Sequence, residues 1–135
     1  MDDLRRFVEN DAFARHLGVE MLHYGDGRAS ARMEITARHL NSAGCVHGGA
    51  IFSLADATFS AAANSHGRLA LAIDVSIAFF EAVREGVLTA EAREVALNAK
   101  LGTYLIDVKD QAGRLVAQFR GTVYRKRAGI ADVAG

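Results

Sequence analysis

Gly48-Gly49-Ala50-Ile51-Phe52-Ser53-Leu54-Ala55-Asp56-Ala57-Thr58-Phe59-Ser60-Ala61-Ala62-Ala63-Asn64-Ser65 contains a single ionisable side chain, Asp56, among residues that are otherwise apolar, small or neutral. Its apolar residues lie all round a helical wheel rather than along one stripe. That predicts a helix from about Gly49 to Asn64, buried on most of its sides. Many of the residues are alanines, small enough for a sheet or another backbone to approach closely. A carboxylate there is costly unless something pairs with it or the protein uses it. The run opens on His47-Gly48-Gly49, where a helix presents backbone N–H groups that have no partner within the helix. A lone carboxylate and a ready anion site on one buried helix point to acyl chemistry.

Downstream, Gly67 ends the helix and four strand-like segments follow. Leu71 to Phe80 places Ile73, Val75, Ile77 and Phe79 on one face. Val87 to Asn98 places Leu88, Ala90, Ala92 and Ala96 together, Thr103 to Lys109 places Tyr104, Ile106 and Val108 together, and Leu115 to Arg125 does the same for Leu115, Ala117, Phe119 and Val123. The turns between them are short, so consecutive strands are expected to run antiparallel. Upstream, His39 to His47 reads as an irregular loop. Arg28 to Ile35 alternates as a half-buried strand, and Gly25-Asp26-Gly27 joins it to a short strand over Val19 to Tyr24. Asp3 to His16 has the spacing of one amphipathic helix, with Leu4, Phe7, Val8, Phe13 and then Leu17 as its apolar positions. The class is α+β, a single domain over 1–135, with the small-residue tail from Ala128 to Gly135 expected to fray. One sheet leaves a face and edges uncovered, so a dimer or tetramer is expected.

With 16 Lys+Arg against 16 Asp+Glu there is no basic surplus, which argues against nucleic acid or an anionic membrane as partner. The central run carries Asp56 and several hydroxyls, so it does not read as membrane-spanning. Cys45 is the one cysteine, which excludes an intrachain disulfide. Met1-Asp2-Asp3-Leu4-Arg5-Arg6 opens on charge rather than on a signal-peptide core, and a cytoplasmic location is expected. His16, His23, His39 and His66 lack metal-ligand spacing, so no metal is expected.

The stretch Asn41-Ser42-Ala43-Gly44-Cys45-Val46-His47-Gly48-Gly49, continued to Asp56-Ala57, resembles the hotdog-fold acyl-CoA thioesterases. Among them it is most similar to the PaaI-type, phenylacetyl-CoA thioesterase-like branch. The likeness covers roughly Val19 to Arg125, and the pattern Asn-x5-His-Gly-Gly-x6-Asp is its most specific part. Phe79-Phe80-Glu81-Ala82, Gly86 and Gly121-Thr122-Val123-Tyr124-Arg125 are weaker matches. The resemblance implies a hotdog fold, a curved antiparallel sheet wrapped around one long central helix. It implies hydrolysis of an aryl- or medium-chain acyl-CoA to the carboxylic acid and coenzyme A, with no cofactor beyond the coenzyme A of the substrate. It also implies an active site at the interface of a homodimer, assembling to a homotetramer. Asp56 matches the catalytic carboxylate and Gly48 the amide that polarises the thioester carbonyl. Asn41 and His47 match the residues that position the nucleophile or the carbonyl. By the same likeness Asn98-Ala99-Lys100-Leu101-Gly102 lines the nucleotide end, and Phe79 or Phe80 packs on the pantetheine arm. Where some relatives carry a water-assisting serine after the helix, this chain has Ala72.

Helix geometry bears on that site independently. Gly48 and Asp56 are eight residues apart, roughly 12 Å along one helix, whereas a general base works within about 3 Å of the proton it takes. Two antiparallel helices meeting across a two-fold axis bring the start of one to the middle of the other. Asp56 then acts on water or attacks directly, and the amide of Gly48 or Gly49 stabilises the oxyanion, aided by the helix dipole. Plainer alternatives stand beside each assignment. Asp56 could be a structural carboxylate accepting helix N–H or hydroxyl bonds. His47 could merely cap the helix, Asn41 could hold a turn, Gly48-Gly49 could be a tight helix entry, and Phe79 could be core. Arg125, with Lys126 and Arg127, offers charge to phosphates or simply forms a solvated end. A Cys45–His47 nucleophilic pair lacks defined geometry. Two other functions compete: a hydratase or dehydratase acting on an enoyl thioester, and a non-catalytic acyl-CoA-binding module.

Overall fold

The computed structural model describes residues 2–133. Its N-terminal region is two helices, α1 (Asp2–Glu9) and α2 (Ala12–His16), rather than the single helix expected over Asp3 to His16. The break falls at Asp11, whose carboxylate caps α2 by accepting the Ala14 N–H at 3.0 Å. A short polar side chain gains more at a cap than inside a helix. The break re-aims the apolar residues: Leu4 is buried, but Phe13 is 63% exposed.

β1 (Val19–Gly25) and β2 (Arg28–Glu34) form the expected hairpin. Asp26 and Gly27 both have positive φ, 53° and 76°, the turn geometry that matches the twist of paired strands. The alternation in β2 holds, with Ala29, Ala31 and Met33 buried. A loop then leads to α3 (Gly48–Asn64), followed by β3 (Arg68–Phe79), β4 (Val87–Leu97), β5 (Leu101–Lys109) and β6 (Leu115–Gly129). The six strands make one antiparallel sheet in the order β1-β2-β4-β5-β6-β3.

The last four strands run antiparallel in succession as expected, but β3 and β4 do not pair: β3 lies at the far edge beside β6. The segment between them crosses past the start of α3. The Phe80 N–H donates to the Val116 carbonyl, Val46 donates to Val83, and Ile35 donates to Gly86. It thereby hands the chain from the β6 side to the β2 side. Three bulges also shift faces that simple alternation had joined. Ile73 is 61% exposed, and Ala96 and Leu115 turn outward, while the expected Leu88, Ala90, Ala92, Tyr104, Ile106, Val108, Ala117, Phe119 and Val123 are buried. The tail carries structure for longer than expected. β6 runs to Gly129 and a short 3-10 turn places Ile130 in the interior, while 134–135 lie outside the described residues.

α3 packs against all six strands. Phe59 meets Tyr104 edge-on at 5.8 Å and Phe119 at 5.4 Å, and Phe52 meets Phe119 at 5.2 Å. Asn64 is buried and ties the helix end to β3 by donating to the Ala70 carbonyl and accepting the Ala70 N–H. Gly49, Ser53, Asp56 and Ser60 form a stripe of α3 left partly or fully uncovered, with Gly48 and Phe52 half-buried beside it at the helix start. Among the described residues no helix is long and apolar enough to cross a membrane.

The Phe59 ring of α3 packs directly over Gly121 of β6: a Cβ there would lie 2.6 Å from the ring. Gly121→Ala is therefore expected to cost about 1–3 kcal/mol through overpacking. It should lower the urea midpoint with little change in slope. An unchanged midpoint would show that Phe59 does not press on β6.

Candidate active site

Asp56 lies on the uncovered stripe of α3, partly buried. Burial first, and then the charge of Asp11, raise its carboxyl above the usual carboxylate range. No hydrogen bond or ion pair among the described residues engages that carboxylate. The nearest hydroxyls on its stripe point elsewhere: Ser53 donates to the Gly49 carbonyl at 2.7 Å, and Ser60 lies 3.5 Å from the Asn64 amide. The structural reading of Asp56, which needs such donors, finds none among the described residues.

The start of α3 separates the two glycines. His47 is the N-cap, and its Nδ1 accepts the Gly49 N–H at 2.9 Å. The Ala50 and Ile51 N–H groups bond the His47 carbonyl. Gly48 is left with a helix N-terminal N–H that has no acceptor among the described residues. The neutral His47 ring that accepts at Nδ1 carries its proton on Nε2. The Phe79 ring lies against Gly48, where a Cβ would sit 3.2 Å from it. Asn41 spends its side-chain oxygen on the loop, accepting the Ala43 and Cys45 N–H groups at 2.9 and 3.1 Å. Its amide N–H₂ has no partner among the described residues. The loop is braced from below by buried His39. Its Nδ1 accepts from Thr36, its Nε2 donates to the Leu17 carbonyl at 2.7 Å, and its own carbonyl accepts the His47 N–H.

The expected nucleotide-binding residues gather at the other end of the sheet. Asn98 accepts the N–H groups of Lys100 and Leu101 on its side chain, and Arg125 donates to the Asn98 carbonyl at 2.6 Å. Lys100 and Leu101 are exposed, whereas Gly102 is buried beneath Leu97, Tyr104 and Val123. Arg125 pairs in register with Ala70, nine residues before Phe79 on β3, roughly 30 Å along the strand. One chain thus holds Asn41, His47, Gly48, Phe79 and exposed Phe80 at one end and the Asn98–Arg125 group at the other, with Asp56 between them on the helix.

Two features escaped the sequence reading. Asp11 reaches Asp56 only through the break between α1 and α2. Glu94 is the second. Burial alone would raise its carboxyl, but hydrogen bonds from His66 at 2.5 Å and buried Tyr104 at 2.8 Å, together with the charges of His66 and Arg125, lower it. The same contact raises the Tyr104 hydroxyl, after burial. Among the described residues no group of three or more His, Cys, Asp or Glu side chains is placed to hold a metal ion.

The thioesterase superfamily model matches residues 43–117, more than half the chain and the whole of α3. The chain belongs to the thioesterase superfamily. A candidate esterase of Archaeoglobus fulgidus is 49% identical over 118 residues, covering 87% of this chain and 77% of that protein. The acyl-coenzyme A thioesterase PaaI of Escherichia coli is 39% identical over 118 residues, covering 87% of this chain and 84% of that one. The structure of the E. coli PaaI protein from the phenylacetic acid degradation operon superposes with a TM-score of 0.91 at 35% identity, over 95% of this chain and 94% of that one. The fold is the hotdog fold of this superfamily, and the protein is a thioester hydrolase.

The raised Asp56 carboxyl makes the folded state favour its protonated form. Any stability that form brings is present at low pH and lost as pH rises through the folded-state value. Near neutral pH the ionised group is a cost, so Asp56→Asn should melt a few degrees higher than the parent, with the gap closing under acid conditions. A lower melting point at neutral pH would mean that Asp56 is held by a partner.

Proposed function

We propose that this thioesterase hydrolyses aryl- or medium-chain acyl-CoA in a site shared by two copies of the chain. The observation that carries the reading is the pair of unpartnered groups on α3: the Gly48 N–H and the Asp56 carboxylate, too far apart to serve one carbonyl from one chain. β3 supplies the means of association. It is an edge strand with one neighbour, and Leu71, Ile73 and Phe79 are exposed along it; such an edge is stable when a second strand or a cover satisfies it. Two β3 strands running antiparallel across a two-fold axis bring the Phe79 end of one chain beside the Arg125 end of the other. That closes the gap of roughly 30 Å between the two groups of site residues. Coenzyme A would then lie across the interface, with its phosphates toward Lys100 and Arg125 of one copy and its thioester toward Gly48 of the other. The row formed by Leu71, Tyr124 and Leu101 on the outer face of the sheet would carry association of two dimers into a homotetramer.

In this mechanism Asp56 takes a proton from water as the water oxygen attacks the thioester carbonyl. The partner's helix N-terminus, through its free glycine amide, holds the oxyanion. Collapse of the tetrahedral species breaks the carbon–sulfur bond. The sulfur leaves as thiolate and takes up a proton to give free coenzyme A, with the acid as the second product. A raised carboxyl is the stronger base, so burial and Asp11 assist the step. His47 orients the helix start by capping Gly49, and Asn41 offers its amide N–H₂ to the water or the carbonyl.

Asp56→Asn is expected to reduce thiol release from phenylacetyl-CoA by roughly 10²–10⁴-fold while leaving the oligomer intact. Retained activity would remove Asp56 from the reaction, and consumption of an enoyl-CoA double bond without thiol release would favour a hydratase. The acid limb of kcat/KM should follow Asp56 and lie above the usual carboxylate range. Asp11→Asn removes a like charge, so it should move that limb to lower pH, and an unmoved limb would contradict the coupling.

A further inference from the structure

We propose that the cleft beneath the N-terminal helix pair receives the acyl group of the substrate, so that the protomer supplying Asp56 also holds the acyl chain. This rests on the thioesterase reading above and assigns one compartment within it. The cleft has a volume of about 390 Å³, within the range of small-molecule sites, roughly 300–1,000 Å³, and enough for one aryl or medium-chain acyl group. Its apolar wall comes from four elements: Val8 of α1, Ala14 of α2, Val19 and Met21 of β1, and Ala57 of α3. The lining side chains Glu9 and Arg15 are exposed, so charge stands at the rim.

Two observations join this cleft to the candidate site. Ala57, on its wall, is the residue immediately after Asp56. Asp11, also on its wall, is near enough to Asp56 for its charge to act on that carboxylate. The break between α1 and α2 therefore lies where the helix pair meets Asp56. A second cavity of about 250 Å³ shares Val8 and Asp11 and mixes Phe7, Ala61, Ile130 and Val133 with Asp3, Arg6, Asn10 and Ser60; it is the smaller of the two, and Ala57 is not on its wall. Tyr24 adds an aromatic face to the larger cleft, and none of the hydrogen bonds among the described residues engages its hydroxyl.

The test compares kcat/KM for acetyl-, octanoyl- and phenylacetyl-CoA, read as thiol release, in the full chain and in two variants on β1. Val19→Phe narrows the cleft and should lower the octanoyl-to-acetyl and phenylacetyl-to-acetyl ratios roughly tenfold or more, mainly through KM. Met21→Ala widens it and should shift preference toward the longer or bulkier acyl group. Circular dichroism identifies a variant that has not folded, and the other variant then decides. Ratios unchanged in a folded variant overturn the assignment of the cleft. Absence of thiol release from every acyl-CoA with the unaltered chain instead overturns the thioesterase reading beneath it.

Discussion

The Phe59 ring fills the space that a Cβ at Gly121 would need, 2.6 Å away, and that contact sets how closely α3 lies on the sheet. With the helix seated there, Phe52 and Phe59 both reach Phe119, and Tyr104 closes on Phe59 from β5. The small residues of α3 follow from the same closeness: Ala55 and Ala62 are fully buried against strands that larger side chains would hold off. Because helix and sheet fit in one way, the wheel position of Asp56 is fixed as well. It falls on the stripe that the sheet does not cover.

That placement leaves a partly buried carboxylate with no donor among the described residues and with the like charge of Asp11 acting on it. Both raise its basicity at some cost to the fold, the pattern by which a protein tunes a base. The start of the same helix carries the complementary feature. His47 uses its ring on Gly49, leaving the Gly48 N–H free for a ligand. A second copy would bring the Gly48 N–H of one helix to a substrate carbonyl beside the Asp56 of the other and cover the exposed β3 edge.

The alternation of β2, β5 and the middle of β4 and β6 was legible because each buries one face, and a period of two is visible in residue type. The extent of α3 was legible to one residue. Bulges were not: at Ile73, Ala96 and Leu115 one added residue reverses the faces, and composition carries no mark of it. Strand order was not legible either, because the crossing of 80–86 depends on backbone bonds to Val46, Ile35 and Val116. Within the site, Asp56 stood out as a charge in an apolar run. The choice between Gly48 and Gly49 depended on which N–H the His47 ring accepts, and the role of Asp11 on a helix break that the apolar spacing concealed.

Complementation between two inactive chains tests the shared site most directly. Gly48→Pro removes the one N–H in question at the first helical position, where proline is tolerated. His47, at φ −61° and ψ 135°, already has the backbone that a following proline prefers. Mixed and reassembled one-to-one with Asp56→Asn, half the dimers would be mixed, and each would hold one site with neither lesion. Thiol release should therefore recover to about a quarter of the unaltered level. Activity that stays at the level of the separate variants, with mixed dimers demonstrated, would place both groups in one chain and contradict the account.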